Sequence, residues 1–345
     1  MGVRALAAAF VVALLAAAPA AAEPAVTGYP GSIASTGDSI TRAYNLCFFP
    51  FTDCASASWS TGTNTSVNSH YRRLLAASPT ISGRNFNDAV TGADMADLNA
   101  QVQTAVAQGA QYVTIMMGAN DVCASSEAGV TDPEVFEQQF RTAMVTLSAG
   151  RPNARIYVVS IPRVYRLWQA LRGSGSARFI WTLAGICQSM LANPGSTAPA
   201  DEQRRLRVDA KNAEFNVRLS EVCAEYVHCR FDNNTVFNYP FASTHVTSRD
   251  YFHPSISGQA VLAAETWRVG FNFADATPPL SMGSVANGVA TLETASADAK
   301  GIEYRVSGGG WIRYTQPVVL GAGSTITWRA VDVNGNAEAT HLLTG

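Results

Sequence analysis

The segment "SIASTGDSITRAY", residues 32–44, decides how the rest of the chain is read. Small and β-branched residues run up to Gly37-Asp38-Ser39, and a polar stretch follows, as in a short buried strand that ends in a turn. Taken alone, Gly-Asp-Ser is an ordinary turn or helix cap, because Asp and Ser side chains satisfy nearby backbone N–H groups. The same three residues also set a serine hydroxyl at the carboxyl end of a strand, where α/β proteins gather their chemistry.

The flanking sequence repeats the pattern. "NFNDAV" (85–90), "YVTIMMG" (112–118) and "RIYVVSIP" (155–162) are short, rich in β-branched and aromatic residues, and bounded by Gly, Asn or Pro. Between them lie helical stripes, one of Met95, Leu98, Val102, Ala105 and Val106, another of Phe136, Phe140, Ala143, Met144 and Leu147. Thr131-Asp132-Pro133-Glu134 opens the second, with a cap and then Pro at the first helical position. Strands alternating with helices imply a parallel sheet covered on both faces. Residues 163–225 break the spacing as a long insertion with two apolar helical segments around a Gly/Ser turn. They read either as extra core helices or as a partly mobile wall for an apolar substrate.

Composition sets the outer limits. A chain of 345 residues, 47% hydrophobic and 14% charged with a net charge of −2, is long enough for one large domain and a modest second one. That overall balance makes no electrostatic case for nucleic acid or an anionic membrane as partner. Arg4, the apolar run 5–20 and the small residues at 20–22 form a secretory signal, with cleavage expected after Ala22. The run is short for a bilayer span, so no transmembrane segment is expected in the mature chain. Export makes the six cysteines candidates for disulfides. Cys47 with Cys54 and Cys223 with Cys229 close short loops, which leaves Cys123 with Cys187. No cysteine or histidine spacing suits zinc, so no metal is expected.

Past "DATPPL" (275–280) the texture becomes short and β-rich, with Asn334-Gly335 as a hairpin signal. The division expected is a signal peptide over 1–22, a catalytic domain over 23–274 and a small sandwich-like β domain over 275–345. Residues 304–336 resemble the immunoglobulin-like modules appended to secreted bacterial hydrolases, whose role as spacer, wall-binding or carbohydrate-binding module stays open.

Four stretches carry the chemistry: "GDSIT" (37–41), "NDAVTGADMADL" (87–98), "MMGANDVC" (116–123) and "DYFHPSISGQ" (250–259). In order and content they resemble the SGNH, or GDSL-type, hydrolase family, over roughly residues 30–270. The resemblance implies a three-layer, flavodoxin-like α/β fold with a parallel sheet, with Ser39, Gly92, Asn120 and His253 as the four block residues. A serine hydroxyl needs a base to take its proton, His is the usual one, and the His needs a carboxylate to hold its tautomer. Asp250, three residues before His253, can converge with it on one pocket. The family pattern gives the oxyanion to the backbone N–H groups of Ser39 and Gly92 and the amide of Asn120. Singly, Gly92 reads as a turn, Asn120-Asp121 as a helix cap and His253-Pro254 as a surface turn; together those readings fail to explain four such features at successive strand ends.

No G-x-S-x-G, H-E-x-x-H or Walker motif is present, and no cofactor is needed. The expected activity is a secreted, monomeric serine esterase acting on lipid or simple acyl esters, similar to the phospholipase B-like and lipase-like branch of actinobacteria. The alternatives are a carbohydrate esterase that deacetylates polysaccharide and a non-catalytic wall-binding protein. Tyr165, Leu167, Trp168, Phe179 and Trp181 line an acyl channel or belong to the core. His70, His228, His245 and His341 are expected in solvated or capping roles, with His245 close enough to line the pocket.

Overall fold

The computed structural model describes residues 24–345, and the signal segment expected over 1–22 lies outside the described residues. Five strands form a parallel sheet: β1 (Ile33–Gly37), β2 (Asn85–Asn87), β3 (Tyr112–Met116), β4 (Arg155–Val158) and β5 (Cys229–Phe231), in the order β2-β1-β3-β4-β5. Every neighbouring pair runs parallel. Every residue of β1, β3 and β4 is buried, as expected of strands covered on both faces.

The helices that matter for function are α1 (His70–Ala77), α2 (Leu98–Ala107), α3 (Ala119–Val122), α4 (Pro133–Gly150), α5 (Val164–Leu171), α6 (Gly175–Leu183), α7 (Gln188–Leu191), α8 (Pro199–Ala224), α9 (Thr235–Asn238) and α10 (Ile256–Val269). On one side α4 packs between α2 and α8. Asp132 caps α4 by accepting from the N–H groups of Glu134 and Val135, and Pro133 follows at the first position. The five apolar residues of its stripe are fully buried, and Phe136 stacks on Phe215 of α8 with centroids 4.2 Å apart. The supposed insertion divides. Only α5, α6 and α7 are added pieces; α8 is the crossover helix that returns the chain to β5.

On the other side α1 and α10 meet through His70, which is fully buried. Its Nδ1 bonds the Tyr112 hydroxyl at 2.9 Å and its Nε2 bonds Thr266 Oγ1 at 2.8 Å. His70 is therefore neither solvated nor a cap. His228 is buried as well, against Glu303, whereas His245 accepts the Ala242 N–H as a cap. Disulfides join Cys47 to Cys54, Cys123 to Cys187 and Cys223 to Cys229. The second ties the end of α3 to the start of α7, and the third ties α8 to β5.

The C-terminal β domain pairs a three-stranded sheet with a four-stranded one. The strands are β6 (Ser281–Ala286), β7 (Val289–Thr294), β8 (Ala299–Val306), β9 (Ile312–Arg313), β10 (Val318–Val319), β11 (Thr325–Asp332) and β12 (His341–Thr344), ordered β10-β7-β6 and β12-β11-β8-β9. Leu292, Ile302, Ile326 and Trp328 fill the space between the sheets. Asn287-Gly288, both at positive φ, makes the two-residue hairpin between β6 and β7.

This domain docks firmly on the other. Arg155, the first residue of β4, bonds Asn334 O, Gly28 O and Asn336 Oδ1 at 2.7–2.8 Å. Arg329, fully buried, bonds Glu303 and Asn153. The contact lies at the amino ends of the strands, and Ser39 leaves β1 at the carboxyl end. The β domain thus braces the sheet from the side opposite that serine.

Burial of His70 has a thermodynamic consequence. Desolvation, with the nearby charge of Arg73, pushes its pKa down to about 3. Below about pH 6.5 the unfolded chain binds a proton that the folded chain refuses, so the His70 contribution is intact above that pH and is lost as pH falls toward 3. Between pH 7 and pH 5 this amounts to about 2 kcal/mol. In denaturant titrations at these two pH values, His70→Gln should show a loss on acidification smaller by about that amount, on a lower absolute stability.

Candidate active site

The site begins at Gly37, whose φ of +144° is open only to glycine and whose would-be Cβ falls 2.3 Å from the carbonyl oxygen of Met116. The Gln101 side chain accepts the Gly37 N–H at 2.8 Å and donates to its carbonyl at 3.0 Å, so the end of the strand keeps its hydrogen bonds. Asp38 Oδ1 then accepts the Ile40 N–H at 2.8 Å, and Tyr44 N–H reaches Ser39 O at 3.0 Å. Ser39 stands at the head of this turn, almost buried. It is a turn residue and also something more.

His253 Nε2 lies 2.8 Å from Ser39 Oγ, and His253 Nδ1 lies 2.8 Å from Asp250 Oδ2. The loop between them is held tightly. Asp250 Oδ1 accepts the N–H groups of Phe252 and His253 at 2.9 and 3.0 Å, and Thr247 N–H donates to His253 O. Tyr251 takes a positive φ of 55° so that the D-x-x-H turn can bring both side chains to one side. Burial alone would raise the Asp250 carboxyl. The hydrogen bond and charge of His253, with the Asn45 amide and the His253 N–H, outweigh it and hold the group below the ordinary carboxylate range. It stays ionised, able to hold the Nδ1–H tautomer of His253 and leave Nε2 as an acceptor for Ser39.

Gly92 and Asn120 come from the two neighbouring strand-end loops. Gly92 has a φ of +87° and open space where a Cβ would stand, so the backbone conformation alone calls for glycine. Its loop is fastened at both ends, with Val90 N–H donating to Gly37 O at 3.1 Å and Met95 N–H donating to Asp121 Oδ2 at 2.9 Å. Asn120 Nδ2 donates to Ala93 O at 2.7 Å, which spends one of its two hydrogens and fixes the amide plane. Among the described residues, neither the Ser39 nor the Gly92 backbone N–H donates to another protein group. Burial pushes the carboxyl groups of Asp38 and Asp121 up to about 6; the Ile40 N–H and the His253 charge partly oppose this for Asp38.

Several supports carried no signal in the motifs. Asn45 Nδ2 donates to Asp250 Oδ2 at 2.7 Å, and its Oδ1 accepts the Phe51 N–H at 2.9 Å. The Tyr44 ring lies 5.0 Å from the His253 ring. Gln259 accepts the Trp59 N–H and donates to Ile40 O, locking α10 to the turn after Ser39. Beside the site lies an apolar cavity of about 80 Å³ lined by Ile40, Ala119, Leu167, Phe241, Val246 and Phe252. Each of Ser39, Asn120 and His253 thus has a chain neighbour in its wall. Of the residues read as an acyl channel, Leu167 reaches this cavity; Tyr165, Trp168 and Trp181 are core, and Phe179 is exposed.

Ser39, His253 and Asp250 are thus joined in one hydrogen-bonded chain at the carboxyl edge of the sheet. The chain belongs to the family of GDSL-like lipases and acylhydrolases, which its residues 33–266 match. It is an ester hydrolase of that family. Among solved structures, the extracellular lipase from Streptomyces rimosus is 18% identical, with a TM-score of 0.43 over 69% of this chain and 98% of that one. Phospholipase A1 from Streptomyces albidoflavus is 15% identical, with a TM-score of 0.40 over 70% and 99%. An active-site mutant of a family two carbohydrate esterase from Clostridium thermocellum is 14% identical, with a TM-score of 0.40 over 72% and 64%. No curated protein matches the chain.

The position of Asn45 carries a consequence for turnover. Asn45→Ala removes one of the two side-chain partners of Asp250 Oδ2 and loosens the carboxylate that orients His253. We expect kcat on a soluble ester to fall about tenfold with KM little changed, the cost of roughly one charge-assisted hydrogen bond. Steady-state kinetics of the purified variant read both parameters.

Proposed function

We propose that this protein is an exported serine esterase that cleaves carboxylic esters whose acyl chains are longer than acetyl. The observation that carries the reading is the pair of 2.8 Å contacts joining Ser39, His253 and Asp250. As Ser39 Oγ attacks the ester carbonyl carbon, its proton passes to His253 Nε2, and the ionised Asp250 stabilises the imidazolium. The carbonyl oxygen becomes an oxyanion facing the N–H groups of Ser39 and Gly92 and the second amide hydrogen of Asn120. Collapse expels the alcohol, which takes the proton from His253, and leaves an acyl group on Ser39. A water molecule, deprotonated by His253, then releases the acid and restores the serine.

The apolar cavity supports the acyl preference. A water molecule needs roughly 10–15 Å³ of such space and the cavity offers about 80 Å³, so several methylene groups fit. Three disulfides with no free cysteine among the described residues support an oxidising destination, in keeping with a signal over residues 1–22. No helix of the described residues is long and apolar enough to cross a membrane. We also retain the division into residues 23–274 and 275–345 and a monomeric state as part of this reading.

The test is a series of p-nitrophenyl esters from acetyl to octanoyl with wild type, Ser39→Ala and Leu167→Trp. Ser39→Ala should lose at least about a thousandfold in kcat. Wild type should favour chains longer than acetyl. Leu167→Trp, which fills the cavity, should lose about tenfold on hexanoyl and octanoyl esters and stay within about threefold on acetyl. Equal rates for wild type and Ser39→Ala sink the nucleophile, and activity confined to acetyl esters moves the substrate to acetylated polysaccharide.

A further inference from the structure

Three phenylalanines stand in solvent beside the catalytic loop. Phe48, Phe49 and Phe51 are 87%, 69% and 69% exposed, a concentration of apolar surface that a soluble protein seldom leaves uncovered. They occupy one short loop, closed by the Cys47–Cys54 disulfide. The backbone of the loop is braced. Asn45 N–H donates to Thr52 O at 2.8 Å, and Arg249 reaches the carbonyls of Asn45, Cys47 and Phe48 at 3.1, 2.5 and 3.4 Å. Arg249 directly precedes Asp250.

A second apolar edge lies on the other side of the same loop. Helix α6 exposes Phe179 and Leu183, one turn apart, and Trp181 Nε1 donates to Tyr251 O at 2.9 Å. Residues 248 and 251 of the catalytic loop share a surface hollow with Phe179. The two edges therefore flank the turn that carries Asp250 and His253. Positive charge lies beside it too: from residue 163 to residue 200 the chain holds Arg163, Arg166, Arg172 and Arg178 and no acidic residue, and of these Arg163 is paired with Asp209 of α8. Arg172 and Arg178 are exposed beside α6. In the aromatic loop the single carboxylate, Asp53, is paired with Arg42.

We propose that the 47–54 loop and α6 form a docking collar that seats the enzyme on the surface of an anionic phospholipid bilayer, with the Ser39 site turned toward it. Aromatic rings on a preordered loop insert at the headgroup level, and the arginines of the insertion answer the negative surface. Ester substrates in that surface then reach Ser39 without first leaving for water. The inference rests on the reading of Ser39 as the nucleophile of an ester hydrolase. It is compatible with the net charge of −2, because the arginines invoked are local to this face.

Co-sedimentation with vesicles tests it, using Ser39→Ala protein so that the lipid stays intact. The parent should bind vesicles of phosphatidylcholine containing phosphatidylglycerol and bind pure phosphatidylcholine vesicles far less. Replacing Phe48, Phe49 and Phe51 by Ser in that background should lower binding at least about tenfold, and Arg172→Glu with Arg178→Glu should lower it comparably. With Ser39 restored, the triple Phe→Ser variant should hydrolyse water-soluble p-nitrophenyl butyrate within about twofold of wild type. Undiminished vesicle binding by the triple variant overturns the proposal. So does equal binding to both lipid compositions, or loss of soluble-ester activity in parallel with binding. If wild type hydrolyses no ester yet binds the anionic vesicles through these phenylalanines, the docking surface stands and the esterase reading falls.

Discussion

Ser39 stands where it does because residue 37 has no side chain. β1 runs so close to β3 at its carboxyl end that any Cβ would enter the carbonyl oxygen of Met116. With glycine there, the chain turns at a φ of +144° and delivers Asp38 and Ser39 to the edge of the sheet. That turn breaks the strand's own hydrogen bonding, and Gln101 repairs it from α2 by bonding both backbone groups of Gly37. The same Gly37 carbonyl also receives Val90 N–H, which sets the loop bearing Gly92. One steric constraint thereby positions the serine and its neighbouring loop together.

From that point outward the site is assembled by buried polar connectors. Asp121 holds the start of the 95–97 turn, Gln259 holds the turn after Ser39, and Asn45 joins the Asp250 carboxylate to the aromatic loop. Each satisfies backbone or carboxylate groups that would otherwise be buried unpaired, so each contributes rigidity where a loop would be mobile. The C-terminal β domain works from the far end. Arg155 and Arg329 tie it to the amino ends of the strands, which leaves the carboxyl edge open to substrate.

Much of the architecture was legible in the sequence, and particular residues explain where legibility ended. β1, β3 and β4 announce themselves through short runs of small, β-branched and aromatic residues bounded by Gly, Asn or Pro, and α4 through its stripe and the Asp132-Pro133 start. β5 is three residues, too short for any periodicity, and its absence made α8 look like part of an insertion. His70 could not be told from a surface histidine, because Tyr112 and Thr266 are 42 and 196 residues away. In the site, the motif blocks marked Ser39, Gly92, Asn120, Asp250 and His253. They gave no sign of Asn45, whose partner Asp250 lies 205 residues on, or of Gln101, 64 residues from Gly37. Residue type and spacing report local chemistry, and connectors are ordinary amides until the fold supplies a partner.

The sequence by itself determined the family, the alternation that makes a parallel sheet, and the residue types able to run serine chemistry. These follow from local rules: period, turn preference and the need of a hydroxyl for a base. The tertiary structure decided which groups meet. It brought Nε2 of His253 to 2.8 Å from a hydroxyl 214 residues away, buried His70, set the β domain behind the sheet, and left Phe48, Phe49 and Phe51 in solvent near the 250–253 turn. Those outcomes depend on long-range packing and on which surfaces the core leaves uncovered, and no stretch of sequence encodes them alone.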